Sequence, residues 1–334
     1  MPSSGLRPTA VNPVPPSDRA DGEAVSDYDR FDFRALWRGR DRVTEVERAI
    51  LGRALARMRV DRVLEVGTGF GRLLPEIEAV APEVVACDFD REALARLPPP
   101  GSDRTRRWRI AANLYHLPYR DGAFSAASLI RVYHHLDSPA RALAEVSRVL
   151  CPGGRLLLSY APRPSVGTLV QDVSRALTRP DATRFRSVTF GRGRRALPTR
   201  PFPVYVDGRS AFGRLATAAG FRPVAEWANG FEEFAVVRRL PAGFFLRLGS
   251  ACAAAPGFPQ RFVLLERDEG TRRGSARLPV EFLACPRCGA DMAGVPDQAA
   301  ELCAACAWRG ERSDGVLDLR YLPPSATRWG VAPR

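Results

Sequence analysis

At 334 residues the chain can bury one sizeable core with smaller attachments, and no apolar run approaches bilayer-spanning length. Its formal charge is +13, and Lys is absent, so apart from three His every basic side chain is Arg. Seven cysteines, an odd number in a chain with no apolar leader, argue against a disulfide framework and set the expectation of a cytoplasmic protein.

Residues 1–27 are rich in Pro, Ser and Asp and are expected to form a disordered arm. After it, "RVTEVERAILGRALARM" places Val43, Val46, Ile50, Ala54 and Met58 at helical spacing. The short apolar strand "DRVLEVG" follows, then a helix over "GRLLPEIEAV" in which Pro75 fits only the first turn. The alternation continues through strand "EVVACD", helix "DREALARL", strands "RWRIAA" and "AFSAASLIR", helix "SPARALAEVSRVL", turn "CPGG" and strand "RLLLSY". Past an Arg-rich segment come helix "GRSAFGRLATAAG" and strands "FRPVAEWA" and "RFVLLER". Strands and helices alternating at this length imply an α/β fold, a parallel sheet covered on both faces, with its ligand outside the carboxyl ends of the strands.

The stretch "VLEVGTGFGRLL" has the outline of a nucleotide-seating turn, with Gly67, Gly69 and Gly71 spaced G-x-G-x-G. A dinucleotide fingerprint needs its third glycine one position later, where Arg72 stands, and a P-loop needs a Lys that the chain lacks. Glu65, two residues before the first glycine, repels a pyrophosphate but suits a ligand carrying an ammonium and a sulfonium, which favours S-adenosylmethionine. Asp88 closes the second strand 21 residues after Gly67, where its oxygens can accept from ribose hydroxyls. Asn113, at the end of the third strand, offers an acceptor to an adenine amino group, and Leu114 a backbone N–H and an apolar wall.

With these residues in view, the span from about Tyr28 to Arg267 resembles a class I S-adenosylmethionine-dependent methyltransferase, its characteristic later segment reading "YHHLDSPARALAEVSRVLCPGG". The resemblance implies a Rossmann-like, seven-stranded mixed sheet over 28–268. Glu65, Gly67, Thr68, Gly69 and Gly71 would hold the methionine moiety, Asp88 and Phe89 the ribose side, and Asn113 with Leu114 the adenine. The chain departs from the family pattern at Asn113, Ser125 and Cys151.

Methyl transfer from a sulfonium is an in-line displacement that depends chiefly on positioning. A base is required only where the acceptor must lose a proton. His134 and His135, after the fourth strand, are the candidates for that role, Arg131 for an anionic acceptor group, and Tyr133 is a further candidate. His116 is expected to be structural. Residues 162–207 are an insertion at the position of a substrate cover. From Arg163 to Arg209 the chain carries ten Arg against three Asp, interleaved with Phe185, Phe190 and Phe202. A small anionic acceptor is the first expectation and an RNA the second. A methyltransferase fold kept only as a nucleic-acid-binding or scaffold protein is the third.

Residues 269–277 read as a linker. "CPRCGADMAGVPDQAAELCAAC" then supplies Cys285, Cys288, Cys303 and Cys306, two C-x-x-C pairs separated by 14 residues, the spacing of a closed, structural Zn²⁺ site. Gly289 and Gly310 are expected to make its tight turns. Residues 278–320 resemble the zinc ribbon that elsewhere forms a separate activator subunit of RNA and protein methyltransferases, and 321–334 read as a tail.

Overall fold

The computed structural model describes residues 24–27, 33–101, 103–178, 194–196, 204–233, 239–268, 278–292 and 302–330. The main sheet is built from β1 (Arg62–Val66), β2 (Glu83–Asp88), β3 (Arg106–Ala111), β4 (Phe124–Leu129), β5 (Leu150–Tyr160), β6 (Phe221–Asn229), β7 (Gln260–Arg267), β8 (Glu311–Ser313) and β9 (Val316–Asp318), in the order β6-β7-β5-β4-β1-β2-β3-β9-β8. Strands β1 to β5 run parallel, while β7 is antiparallel to β5 and to β6. This is the Rossmann-like mixed sheet of class I methyltransferases. The strand order reverses between β1 and β4, which opens a crevice at their carboxyl ends.

The core follows from the two-residue strand period. Leu64 and Val66 of β1 join one cluster with Leu143 and Val146 of the helix Pro139–Val149, while Val63 joins the opposite cluster with Val46, Ile50 and Ala54 of the helix Asp41–Leu55. Strands β1 and β4 are buried on both faces, and their few polar residues, Arg62, Glu65, Ser125 and Ser128, are buried with the rest. Ser125 of β4 fits because its hydroxyl bonds both backbone groups of Arg62.

The sheet is wider than the seven strands expected. The hairpin β8–β9 turns at Asp314 and Gly315, both at positive φ as a two-residue Asp-Gly turn requires. It lays β9 parallel against β3, pairing Leu317 with Ile110, and the Leu319 N–H extends the match to the Ala111 carbonyl (2.8 Å). The linker at 269–277 lies outside the described residues. The segment after it shares the main core: Phe282 packs with Trp108, Tyr119 and Phe124, and the Arg120 N–H donates to its carbonyl (2.9 Å).

The ends of the chain also differ from the expectation of a free arm and tail. Ala24–Asp27 pairs parallel with Thr327–Gly330, and Val25 is buried in the main cluster. The cover begins with Pro162–Arg163, which pairs with Tyr205–Gly208, and continues into the helix Val166–Thr178. Residues 179–193 and 197–203, with Phe185, Phe190, Phe202 and five of the ten arginines, lie outside the described residues. Among the described residues no helix is long and apolar enough to cross a membrane.

Candidate active site

β1 ends at Val66, and the chain must turn sharply under β4. Gly67 is at φ +73°, and a Cβ there would overlap Val132 Cγ2. The Gly67 and Thr68 N–H groups donate to the Cys87 carbonyl (2.8 and 3.2 Å). Asp88 fastens the loop from the other side, accepting from the Gly69 N–H at 2.6 Å and the Asp90 N–H at 2.9 Å. Burial pushes its carboxyl up to about 6 against those hydrogen bonds. Glu65 is 4% exposed, its Oε2 has no hydrogen-bond partner, and burial raises it to about 8 although Arg72 pulls the other way. An almost fully buried carboxylate oxygen without a partner is costly unless a cationic donor reaches it.

A cavity of about 590 Å³ brings together Glu65, Gly67, Thr68, Gly69, Asp88, Phe89, Asn113 and Leu114, and Arg131, His134 and His135 line it too. Gly71 is the expected loop residue that does not line it. At φ +80° its missing Cβ makes room for Leu97, 2.7 Å away from where that atom would stand. Asn113 is engaged within the chain: Nδ2 donates to the Tyr321 carbonyl (3.0 Å) and Oδ1 accepts from the Tyr115 N–H (3.0 Å). An acid cannot make the first of these bonds, which accounts for the departure from the family pattern. Arg320 lies over the Phe89 ring and donates to the Phe89 carbonyl (3.1 Å), so the C-terminal segment borders this end of the cavity. His116 meets the Tyr321 ring edge-on, in keeping with a structural part.

Arg131 does not present its guanidinium freely to an acceptor. Its Nε is held by Glu47 Oε1 (2.7 Å), whose Oε2 holds Arg72 (2.5 Å), and the Trp37 ring lies 3.9 Å from the Arg72 guanidinium carbon. Burial alone would raise Glu47, but Arg131 and Arg72 bring it below the ordinary carboxylate value. The sequence reading missed Glu47, though a signal existed: it is an acid on the buried face of a helix, between Val43 and Ile50. Arg131 adopts φ +64°, a strained setting for a side-chain-bearing residue. Tyr133 turns away from the cavity into a cluster with Tyr160 and Phe212. His134 and His135 do face it, their rings 4.1 Å apart.

The cover reaches this region through Arg194, also missed. Arg194 pairs with the buried Asp207 (2.6 Å) and donates to the carbonyls of Leu136 (2.6 Å) and Tyr133 (3.2 Å), which bracket the two histidines. Arg209 pairs with Glu226 (2.5 Å) and Arg163 is buried. These arginines of the expected phosphate clamp serve the protein itself.

The four paired cysteines converge. Their sulfurs all lie within 4.8 Å of one another, with Cys285–Cys306 at 3.7 Å and Cys288–Cys303 at 3.6 Å. Each pair sits on the same backbone knuckle, Gly289 N–H to Cys285 O (2.8 Å) and Ala307 N–H to Cys303 O (2.9 Å). The positive-φ residues are Gly289 and Ala307, not Gly310. Gly310 is needed for close approach, because a Cβ there would meet Leu319 Cδ2 at 2.6 Å.

Comparison with known proteins matches residues 64–158 to a family described as "Methyltransferase domain". The demethylmenaquinone methyltransferase of Deinococcus radiodurans is 36% identical over 171 residues, covering 48% of this chain and 69% of that enzyme. The enzyme of the same name from Thermus thermophilus is 36% identical over 109 residues, 32% of this chain and 50% of that one. The chain thus spans between half and about two thirds of the length of these relatives. A solved S-adenosylmethionine-dependent methyltransferase from Methanosarcina mazei superposes with a TM-score of 0.45 and 18% identity, over 63% of this chain and 94% of that one. With 36% identity over an alignment that covers 69% of the Deinococcus enzyme, and the family match lying on β1 to β5, the chain belongs to the class I S-adenosylmethionine-dependent methyltransferases and is an enzyme.

Proposed function

We propose that the enzyme methylates a small-molecule acceptor seated between the His134–His135 turn and the cover. The observation that carries this is the cavity itself, which Glu65, with a buried oxygen lacking a partner, Asp88 and the imidazoles of His134 and His135 line together. These residues fit S-adenosylmethionine, which when bound supplies an electrophilic methyl on sulfur. Glu65 would hold its ammonium, the Gly67–Gly69 turn its methionine backbone, Asp88 with Phe89 its ribose side, and Leu114 beside Asn113 its adenine. His134 and His135 would orient the acceptor, and either imidazole can take a proton from a hydroxyl or amine.

Two relatives are named for demethylmenaquinone, and that supports a small-molecule acceptor over an RNA. The anionic character expected of the acceptor loses its main support, since Arg131 is held by Glu47. Titration calorimetry with S-adenosylmethionine is expected to show micromolar binding, lost in Glu65→Ala. A labelled-methyl assay on extract split into RNA, protein and small-molecule fractions is expected to label the last. Label in the RNA fraction overturns the acceptor assignment.

The four thiolates are proposed to hold one structural zinc. Zinc–sulfur bonds of about 2.3 Å in a tetrahedron set sulfurs about 3.8 Å apart, close to the 3.6 and 3.7 Å found here. With four protein ligands no position is left for substrate, so the metal would stabilise the module that carries β8, β9, Arg320 and Tyr321. This supports likening the segment to an activator zinc ribbon, here part of the enzyme's own chain. Metal analysis is expected to find one zinc per chain, absent from Cys303→Ser, and chelation is expected to lower the melting temperature.

A further inference from the structure

The cover helix Val166–Thr178 is amphipathic the wrong way round for a protein in water. Thr168 and Asp172 are buried, at 2% and 7% exposure, whereas Leu169, Val170, Val173 and Leu177 are 49%, 54%, 51% and 78% exposed. At 100° per residue the four aliphatic side chains occupy one continuous stripe. The helix start is firmly set: Thr168 N–H donates to Ser165 Oγ (3.2 Å), Ser165 N–H returns to Thr168 Oγ1 (3.0 Å), and Val166 N–H reaches the Gly257 carbonyl (2.9 Å). The orientation is therefore built in. The stripe begins at the active site, since Val170 lines the cavity.

We infer that this stripe seats the enzyme on an anionic lipid surface, with the helix lying in the interface and the cavity mouth opening towards the bilayer. The charge of the surrounding segment selects that partner. Between Arg163 and Arg209 the sequence has ten Arg and three Asp; with Arg163 buried, Arg194 paired with Asp207 and Arg209 with Glu226, seven other Arg stand against two other Asp. An aliphatic stripe in a strongly cationic setting is the pattern that binds anionic headgroups electrostatically and acyl chains hydrophobically. A second copy of the chain would bring two such cationic segments together, and a phosphate backbone offers nothing to four aliphatic side chains. The inference gives the methyl-transfer site access to membrane-dissolved acceptors and to that extent rests on the proposed function. Vesicle binding requires neither cofactor nor acceptor, so the two readings can fail separately.

The test is flotation of the full chain with vesicles of equal phosphatidylglycerol and phosphatidylcholine, beside vesicles of phosphatidylcholine alone. Binding is expected to the anionic vesicles, to be much weaker on the neutral ones, and to fall in high salt. Val173→Glu/Leu177→Glu is expected to weaken it by about tenfold or more, the loss for withdrawing two aliphatic side chains from hydrocarbon. Val280→Glu, at a 70% exposed site in the cysteine module, is expected to leave it intact. Melting temperature and cofactor titration are expected to be unchanged in all three chains. Independently of those variants, Leu177→Trp is expected to gain fluorescence quenched by bromine-labelled lipid. Absence of vesicle binding, full binding by the double variant, or a stripe-dependent dimer or RNA complex in its place overturns the inference.

Discussion

In the proposed cofactor region, Glu65, Gly67 and Asp88 sit at the ends of adjacent parallel strands; the Gly67 N–H is held by the Cys87 carbonyl, and Asp88 accepts from the Gly69 and Asp90 N–H groups, partners two to twenty positions away. In the neighbouring region, the turn that carries His134 and His135 is held by a guanidinium from about sixty positions later, and Arg131 by an acid 84 positions earlier. The first region is rigid because the sheet is rigid. The second is rigid only while buried charge pairs hold, so the two should respond differently to the same kind of damage.

The sharpest separation is expected from Arg194→Met. It leaves Asp207, 1% exposed, without its cation, and breaking such a pair typically costs about 3 kcal/mol or more. Chemical denaturation should show that loss together with slowed turnover, while cofactor affinity should stay within roughly threefold. A matching fall in cofactor affinity would mean the regions are not independent. Gly67→Ala strikes where the two regions touch, because Val132 opens the turn that carries His134 and His135. Positive φ and the overlap with Val132 together are expected to cost about 2–3 kcal/mol, a roughly 100-fold loss of cofactor affinity by calorimetry. Asn113→Asp sets a carboxylate against the Tyr321 carbonyl. About 1–2 kcal/mol of stability should go, most visibly as faster hydrogen exchange in β9.

A further prediction concerns pH. Burial raises Glu65 to about 8, Glu232 to about 7 and Asp88 to about 6. Their unfolded values lie near 4, so between about pH 4 and 8 the native state holds more protons than the unfolded one, and stability falls as pH rises through that window. Melting of the cofactor-free enzyme should therefore drop from pH 5 to pH 8. Glu65→Gln should flatten the upper part of that slope. Cofactor binding at pH 7 should release a proton, seen as a dependence of binding heat on the buffer, because a cationic partner brings Glu65 back towards its ordinary value.

The same contrast explains what was legible in the sequence. The strands, the glycine loop and the placing of Glu65 and Asp88 are local patterns, because hydrogen bonds between neighbouring strand ends dictate them. The paired cysteines are legible for a similar reason: each knuckle is a five-residue turn. Arg194 and Tyr321 carry no local mark. One of ten arginines in a basic segment becomes a pin only because Asp207 is buried beside it. Ala307 hides for the opposite reason, standing at φ +57° where composition points to Gly310. The third departure from the family pattern, Cys151, is a buried thiol near the start of β5, which already includes the CPGG stretch expected to be a turn.

The lateral seam between β3 and β9 sets an order on biosynthesis. A ribosome that has released the glycine loop, Asp88 and both histidines has still left the Arg106–Ala111 edge bare, and it is covered only when Leu317 and Leu319 emerge. Chains terminated before Val316 thus carry an uncapped strand edge, Trp108, Ile110 and Ala111 alternating with arginines, and lack the Tyr321 carbonyl that holds Asn113. Limited proteolysis is accordingly expected to degrade a chain cut before Val316 faster than one that carries β9.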